Sequence, residues 1–174
     1  MKMDFLTFAR KRYSVRSYSQ KPVEDEKIQK ILQAAMIAPT AVNYQPQKIY
    51  VLKSEESLQK IRSITKSTYH APLVFLLCYD IERSWHSPFV EGYNSGEMDV
   101  SIVCTHMMLE AEELGLGSVW VLLFDPNKVR EAFHLPDNIK PICLLPVGYP
   151  AQNAVPYKPW HDTFRNMDDI SDEL

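Results

Sequence analysis

Near the start of the chain, Arg12-Tyr13-Ser14-Val15-Arg16 sets two guanidiniums and a hydroxyl close together. Arginine holds a phosphate through paired charge-assisted hydrogen bonds, and serine adds a short neutral one, so this spacing suits a phosphorylated ligand. The same residues also fit a solvated basic turn, and Tyr13 and Tyr18 could stack nucleic-acid bases. A second group, Pro39-Thr40-Ala41-Val42-Asn43-Tyr44-Gln45-Pro46, crowds a hydroxyl and two carboxamides into a stiff segment. Asn and Gln each donate and accept, which matches the mixed edge of a heterocycle. A proline-bounded helix-to-strand connection would read the same way.

Other chemistries lack their residues. Gly115-Leu116-Gly117-Ser118-Val119-Trp120 has the wrong third position for a dinucleotide fingerprint and runs from helix to strand, so its glycines read as a helix stop and a tight strand entry. A Walker loop and a G-x-S-x-G elbow are missing. Cys104 and His106 stand two apart on a helix and point apart, and His70, His86, His134 and His161 are scattered, so no metal is expected. Cys78, Cys104 and Cys143 each lie in apolar runs, where a thiolate is disfavoured.

The elements that must position these groups follow from period and capping. Residues 4–11 read as a short helix. Acids at 24–26 open a helix carrying Ile28, Ile31, Leu32, Ala35 and Met36, which Pro39 ends. A loop over 39–47 leads to a strand at Ile49 to Leu52. Ser54 caps a helix with Leu58, Ile61 and Ile64, and Pro72 to Tyr79 is a buried strand. Residues 80–96 read as a loop. The longest helix starts at Val100 and stops at Gly115, with His106 near a face that meets the sheet or a partner. Ser118 to Phe124 is expected as a buried strand, Asp125-Pro126 opens another helix, and Pro141 to Gly148 is a further strand. The tail from Tyr149 bears Tyr157, Trp160 and Phe164 without period and is expected to pack on something, a second subunit being one choice. This order predicts an α+β domain with one mixed sheet.

Composition narrows the class. The 174 residues carry a formal charge of −3, with 45% hydrophobic and 24% charged residues, which excludes disordered and collagen-like chains. No run approaches the ~20 apolar residues of a membrane span. Met1-Lys2-Met3-Asp4 shows no secretory pattern, and three apolar-context cysteines suggest reduced thiols, so a cytoplasmic protein is expected. Lys2, Arg10, Lys11, Arg12 and Arg16 make a basic N-terminal segment on an acidic protein, which suggests a local anion site more than a nucleic-acid surface. With five glycines, the chain has little room for a glycine-rich phosphate loop.

Taken in order, Arg12-x-Ser14-x-Arg16-x-Tyr18, Ala34-Ala35-Met36-Ile37-Ala38-Pro39, Thr40-Ala41-Val42-Asn43-Tyr44-Gln45-Pro46, Leu114-Gly115-Leu116-Gly117-Ser118-Val119-Trp120 and Pro146-Val147-Gly148-Tyr149-Pro150 resemble the FMN-dependent nitroreductase family over nearly the whole chain. The resemblance implies one domain over 1–174 with a nitroreductase-like mixed central sheet flanked by helices. It also implies an arm over 149–174 that packs on the partner of a homodimer, with FMN at the interface. Arg12, Tyr13, Ser14 and Arg16 would then bind the flavin phosphate and ribityl chain. Pro39, Thr40, Ala41 and Asn43 would come from the other subunit. Trp120, Val121, Leu122 and Leu123 would lie along the isoalloxazine ring.

The family's Lys-Pro-Arg run reads Lys158-Pro159-Trp160 here, so Lys158 keeps a basic role and Arg165 is a possible stand-in. The chain is short for the family, which leaves residues 80–96, with Trp85, His86, Phe89 and Tyr93, as the candidate lid. The implied activity is NADH- or NADPH-dependent reduction of a nitroaromatic, quinone or similar small acceptor by a ping-pong cycle, with FMN supplying the redox chemistry and no catalytic side chain. Flavin reduction, enone reduction and dehalogenation fit the same scaffold, as does a flavin-holding protein without turnover. A small nucleic-acid binder acting through Arg10 to Tyr18 is the reading from another class.

Overall fold

Four strands, β1 (Gln47–Leu52), β2 (Leu73–Asp80), β3 (Gly117–Ser118) and β4 (Ile139–Gly148), form one sheet in the order β1-β2-β4-β3. The computed structural model describes residues 4–174. Met1, Lys2 and Met3 lie outside the described residues, and with them Lys2 of the basic segment and most of the stretch read for a secretory pattern. Among the described residues all three strand pairings are antiparallel, and the parallel component is the bridge between Ser14 and Ser118.

The apolar run of β2 is buried on both faces, which is why it shows no polar alternation. Leu73, Phe75, Leu77 and Tyr79 enter one core cluster, while Val74, Leu76 and Cys78 enter the other. Strand β4 divides the same way, with Cys143, Leu145 and Val147 on the first side and Leu144 on the second. Helices α2 (Asp25–Ile37) and α4 (Gly96–Glu113) cover the first face through Ile28, Ile31, Val103 and Met107. Helices α3 (Glu55–Ile64) and α5 (Pro126–Phe133) cover the second through Leu58, Ile61 and Val129. Burying one such side chain contributes roughly 1.5–3 kcal/mol. Their spacing therefore selects the three-layer arrangement.

Capping agrees with the sequence. Asp4 accepts from the Thr7 amide ahead of α1 (Phe5–Lys11), Ser54 from the Ser57 amide, and Asp125 from the Asn127 and Lys128 amides. Helix α4 begins one turn earlier than Val100, and β1 begins at Gln47 rather than Ile49.

One expected strand is cut short. The stretch 118–124 is regular strand only to Ser118, but it stays beside β4 as far as Val121: the Val119 amide donates to the Pro146 carbonyl at 3.3 Å, and Val121 and Leu144 exchange amide–carbonyl bonds at 2.9 Å. Among the described residues no backbone bond joins 122–124 to β4, and there Leu122 and Leu123 stand 66% and 77% exposed. The tail is largely irregular, with one short helix, α6 (Lys158–His161), and a 3-10 turn at Met167–Asp169.

Candidate functional site

Helix α1 ends where Arg12 takes an extended conformation, and the chain then runs along the sheet edge. The Val15 amide donates to the Ser118 carbonyl at 3.0 Å, and the Ser19 amide to the Tyr149 carbonyl at 2.8 Å. In an extended segment, side chains alternate, so Arg12, Ser14 and Arg16 share a side while Val15 is buried beneath them. Tyr18 pins the far end by donating its buried hydroxyl to the Val15 carbonyl at 2.8 Å. Burial pushes its phenol far above the usual value, so it stays a donor.

These cations line a cleft of about 380 Å³ between the N-terminal segment and the tail. Arg10, Arg12, Tyr13, Ser14 and Arg16 form one wall, and Tyr157, Trp160, His161 and Phe164 the other. Trp160 lies 5.4 Å from the Arg16 guanidinium carbon, and Phe164 lies 5.5 Å from that of Arg10. Tyr13 donates to the Ala154 carbonyl at 3.2 Å and meets His161 edge-on. Burial, and then the Glu112 carboxylate, raise the Tyr13 phenol, which keeps it neutral. Lys11 pairs with Glu112, but among the described residues no carboxylate comes within ion-pairing distance of Arg10, Arg12 or Arg16. Three unpaired guanidiniums around one cleft repel each other, and a multiply charged anion would relieve that repulsion.

The Pro39–Asn43 segment does not line this cleft. It makes a tight 3-10 turn at Ala41–Asn43, in which Val42 and Asn43 have φ of 46° and 57° and Gln45 follows at 51°. The Thr40 hydroxyl oxygen accepts from the Gln45 amide at 3.0 Å, and Ala41 donates its amide to the Asp99 carboxylate at 2.9 Å. Asn43 is exposed, its carboxamide free to meet another molecule.

The third group joins the first through the Ser14–Ser118 bridge. Trp120 follows from it with a buried indole N–H that has no hydrogen-bond partner. Val121 is buried, and Leu122 and Leu123 are exposed. Gly115, at φ 73°, ends the preceding helix as expected of a left-handed stop. Lys158 opens α6 and is exposed; neither it nor Arg165 lines the cleft.

Against known proteins, the nitroreductase family model matches residues 9–69 and 62–149. The chain belongs to the nitroreductase family. A solved nitroreductase family protein from Clostridium difficile 630 is 42% identical, with a TM-score of 0.91 and 99% of each chain covered. An FMN-dependent nitroreductase from Clostridium difficile R20291 is 27% identical, with a TM-score of 0.73 over 95% of this chain and 94% of that one. A relative named NADH dehydrogenase, from Thermus thermophilus, is 30% identical over 187 residues, covering 88% of this chain and 90% of its own.

The candidate site also contains residues that spacing did not reveal. Asp99 and Ser95 anchor the Thr40–Gln45 turn, yet an acid in a helix's first turns has no sequence mark beyond its charge. His161 and Phe164 enter the cleft from a tail without period. Residues 80–96 form an ordered loop closed by a bridge between His86 and Asn94, with Trp85 against Tyr93 and Phe89 92% exposed at the tip. The cysteines are buried as expected. Burial pushes the Cys78 thiol up to about 12, and a hydrogen bond with Cys143, followed by burial, raises Cys104. None is poised as a nucleophile.

Proposed function

We propose that this chain is an FMN-dependent oxidoreductase that takes hydride from NADH or NADPH and reduces a nitroaromatic, quinone or similar small acceptor in a ping-pong cycle. The observation that carries this reading is the cleft whose wall holds Ser14 with Arg10, Arg12 and Arg16, cations that have no carboxylate partner among the described residues. A flavin phosphate fits that donor set: two or more cations balance its charge, and the Ser14 hydroxyl adds a neutral bond. The orphaned indole N–H of Trp120 and the exposed Leu122 and Leu123 supply a polar donor and an apolar surface on the adjoining segment.

Bound FMN would supply two-electron chemistry by accepting hydride from the nicotinamide and passing it to the acceptor. The chain's part is then binding, orientation and access. Arg12, Tyr13, Ser14 and Arg16 hold the phosphate and ribityl end, and Lys158, which does not line the cleft, opens the α6 helix that brings Trp160 and His161 to it. Trp120, Val121, Leu122 and Leu123 lie along the ring, and Pro39, Thr40, Ala41 and Asn43 of a second copy meet its polar edge. No side chain is assigned as acid, base or nucleophile; the acceptor's proton comes from water.

A homodimer in the cytoplasm is part of this proposal. Its support is an unpartnered apolar face on α1, α2 and α4, where Phe5, Met36, Ile37 and Ile102 are exposed beside a groove lined by Phe8, His106 and Leu109. The tail also exposes Val155, Met167 and Ile170, which agrees with an arm over 149–174 reaching the partner. No helix among the described residues is long and apolar enough to cross a membrane.

Purified protein should be yellow, and NADH or NADPH should bleach it anaerobically, with colour returning on addition of a nitroaromatic or quinone. Colourless protein that FMN cannot reconstitute would refute the proposal. A yellow protein that neither nicotinamide bleaches would be a flavin holder.

A further inference from the structure

We infer that Asp99 is a positioning residue whose buried carboxylate fixes two loops at once, the Thr40–Gln45 turn and the base of the 84–95 loop. The residue is 2% exposed and no cation pairs with it among the described residues. A buried carboxylate without a counter-ion is costly unless hydrogen bonds satisfy it. Here both oxygens are engaged by neutral donors from different segments. One accepts the Ala41 amide at 2.9 Å and the other the Ser95 hydroxyl at 2.6 Å. Ser95, itself 3% exposed, passes the connection on: its hydroxyl oxygen accepts the Trp85 amide at 3.3 Å, and its own amide donates to the Trp85 carbonyl at 2.9 Å.

The turn so held is strained. Val42 occupies the left-handed region at φ 46°, ψ 22°, which a β-branched residue rarely adopts, and Asn43 and Gln45 follow it there. Packing does not impose this, because Val42 is 66% exposed. The turn is closed by its own backbone bonds, Asn43 to Thr40 and Tyr44 to Ala41, and it is tied at its ends by side chains, Ala41 to Asp99 and Gln45 to Thr40. Asp99 therefore presets the direction of the Asn43 carboxamide and, through Ser95, that of the loop bearing Trp85 and Tyr93. On the flavin reading above, on which this consequence rests, one buried acid aligns the cofactor's polar edge with the candidate lid.

The test has two readouts on the full-length protein. Hydrogen exchange should show the Ala41 amide exchanging at least about tenfold faster in Asp99→Ala, while Leu76 and Leu144 in the central strands keep their protection. Unchanged exchange at Ala41 would overturn the inference. In FMN titration, Asp99→Ala should weaken binding by about tenfold or more, the scale of a lost hydrogen bond to a charged group. Asn43→Ala should then cost clearly less on the Asp99→Ala background than alone, because the carboxamide is no longer aligned. Equal losses on both backgrounds would overturn the alignment. If Asp99→Ala does not fold, Ser95→Ala decides: it should free the Trp85 amide while Ala41 stays protected, and a protected Trp85 would count against the relay. If the wild-type protein bound no FMN, the cofactor reading would fail, and Ala41 exchange would still decide the role of Asp99.

Discussion

Val15 lies directly against Gly117: a Cβ at position 117 would come within 2.5 Å of the Val15 Cγ2 atom. The second glycine of Gly115-Leu116-Gly117 is thus a contact point between the sheet edge and the strand that carries Arg12, Ser14 and Arg16. Gly117→Ala should lower stability by about 1–3 kcal/mol, the cost of overpacking a buried contact, and should weaken phosphate binding with it. Denaturant unfolding checks the first effect. Adding Val15→Ala to the same chain should recover part of the loss, whereas additive losses would deny the contact.

Removing either central guanidinium tests the anion site directly. Arg12→Ala and Arg16→Ala should each weaken FMN binding by about 1.5–3 kcal/mol, as expected when a charge-assisted bond is lost. Riboflavin, which keeps the ribityl chain but lacks the phosphate, should lose clearly less affinity than FMN in both variants. Calorimetric titration with the two flavins separates the cases, and an equal loss for both would remove the phosphate assignment.

Trp160 follows Lys158-Pro159, and its ring lies against the Arg16 guanidinium. It orients the cation rather than adding one. Trp160→Ala should cost about 0.5–1 kcal/mol of FMN affinity, the size of an exposed cation–π contact, and Trp160→Phe should retain most of it. Titration at several salt concentrations would show whether the loss follows the phosphate.

Acid should loosen the junction between α2 and the end of β4. The Tyr149 hydroxyl foremost, then the Glu24 backbone and Lys21, hold the Glu24 carboxyl down to about 2 from the usual 4.5. A lowered native value means that the contribution is complete above the unfolded value, about 4.5, and is lost as pH falls through about 2. Carbon-detected NMR titration of Glu24 in wild type and Tyr149→Phe should show the midpoint rising toward 4.5 in the variant. An unmoved midpoint would assign the shift elsewhere.

Much of this molecule was legible because its signals are local. Asp4, Ser54 and Asp125 cap the helices they precede, and the continuous apolar run of β2 announced a strand covered on both faces. Segment 118–124 follows the expected strand only in part: Val119 and Val121 stay buried and bonded to β4, whereas the equally apolar Leu122 and Leu123 stand exposed beyond the last such bond, because an apolar run does not by itself fix where a ladder ends.

Arg12, Ser14 and Arg16 are two apart, so their common side follows from the sequence alone once the chain is extended. The types of the cleft's cations, the glycine stop and the absence of a glycine-rich cradle were equally determined there. Which groups meet was decided only by the fold. Tertiary packing set Val15 on Gly117, Trp160 over Arg16 and Asp99 beneath Ala41, joining residues 58 or more positions apart. Local spacing carries no term for such pairs, because their approach depends on how helices stack on the sheet and where each connection is left to run.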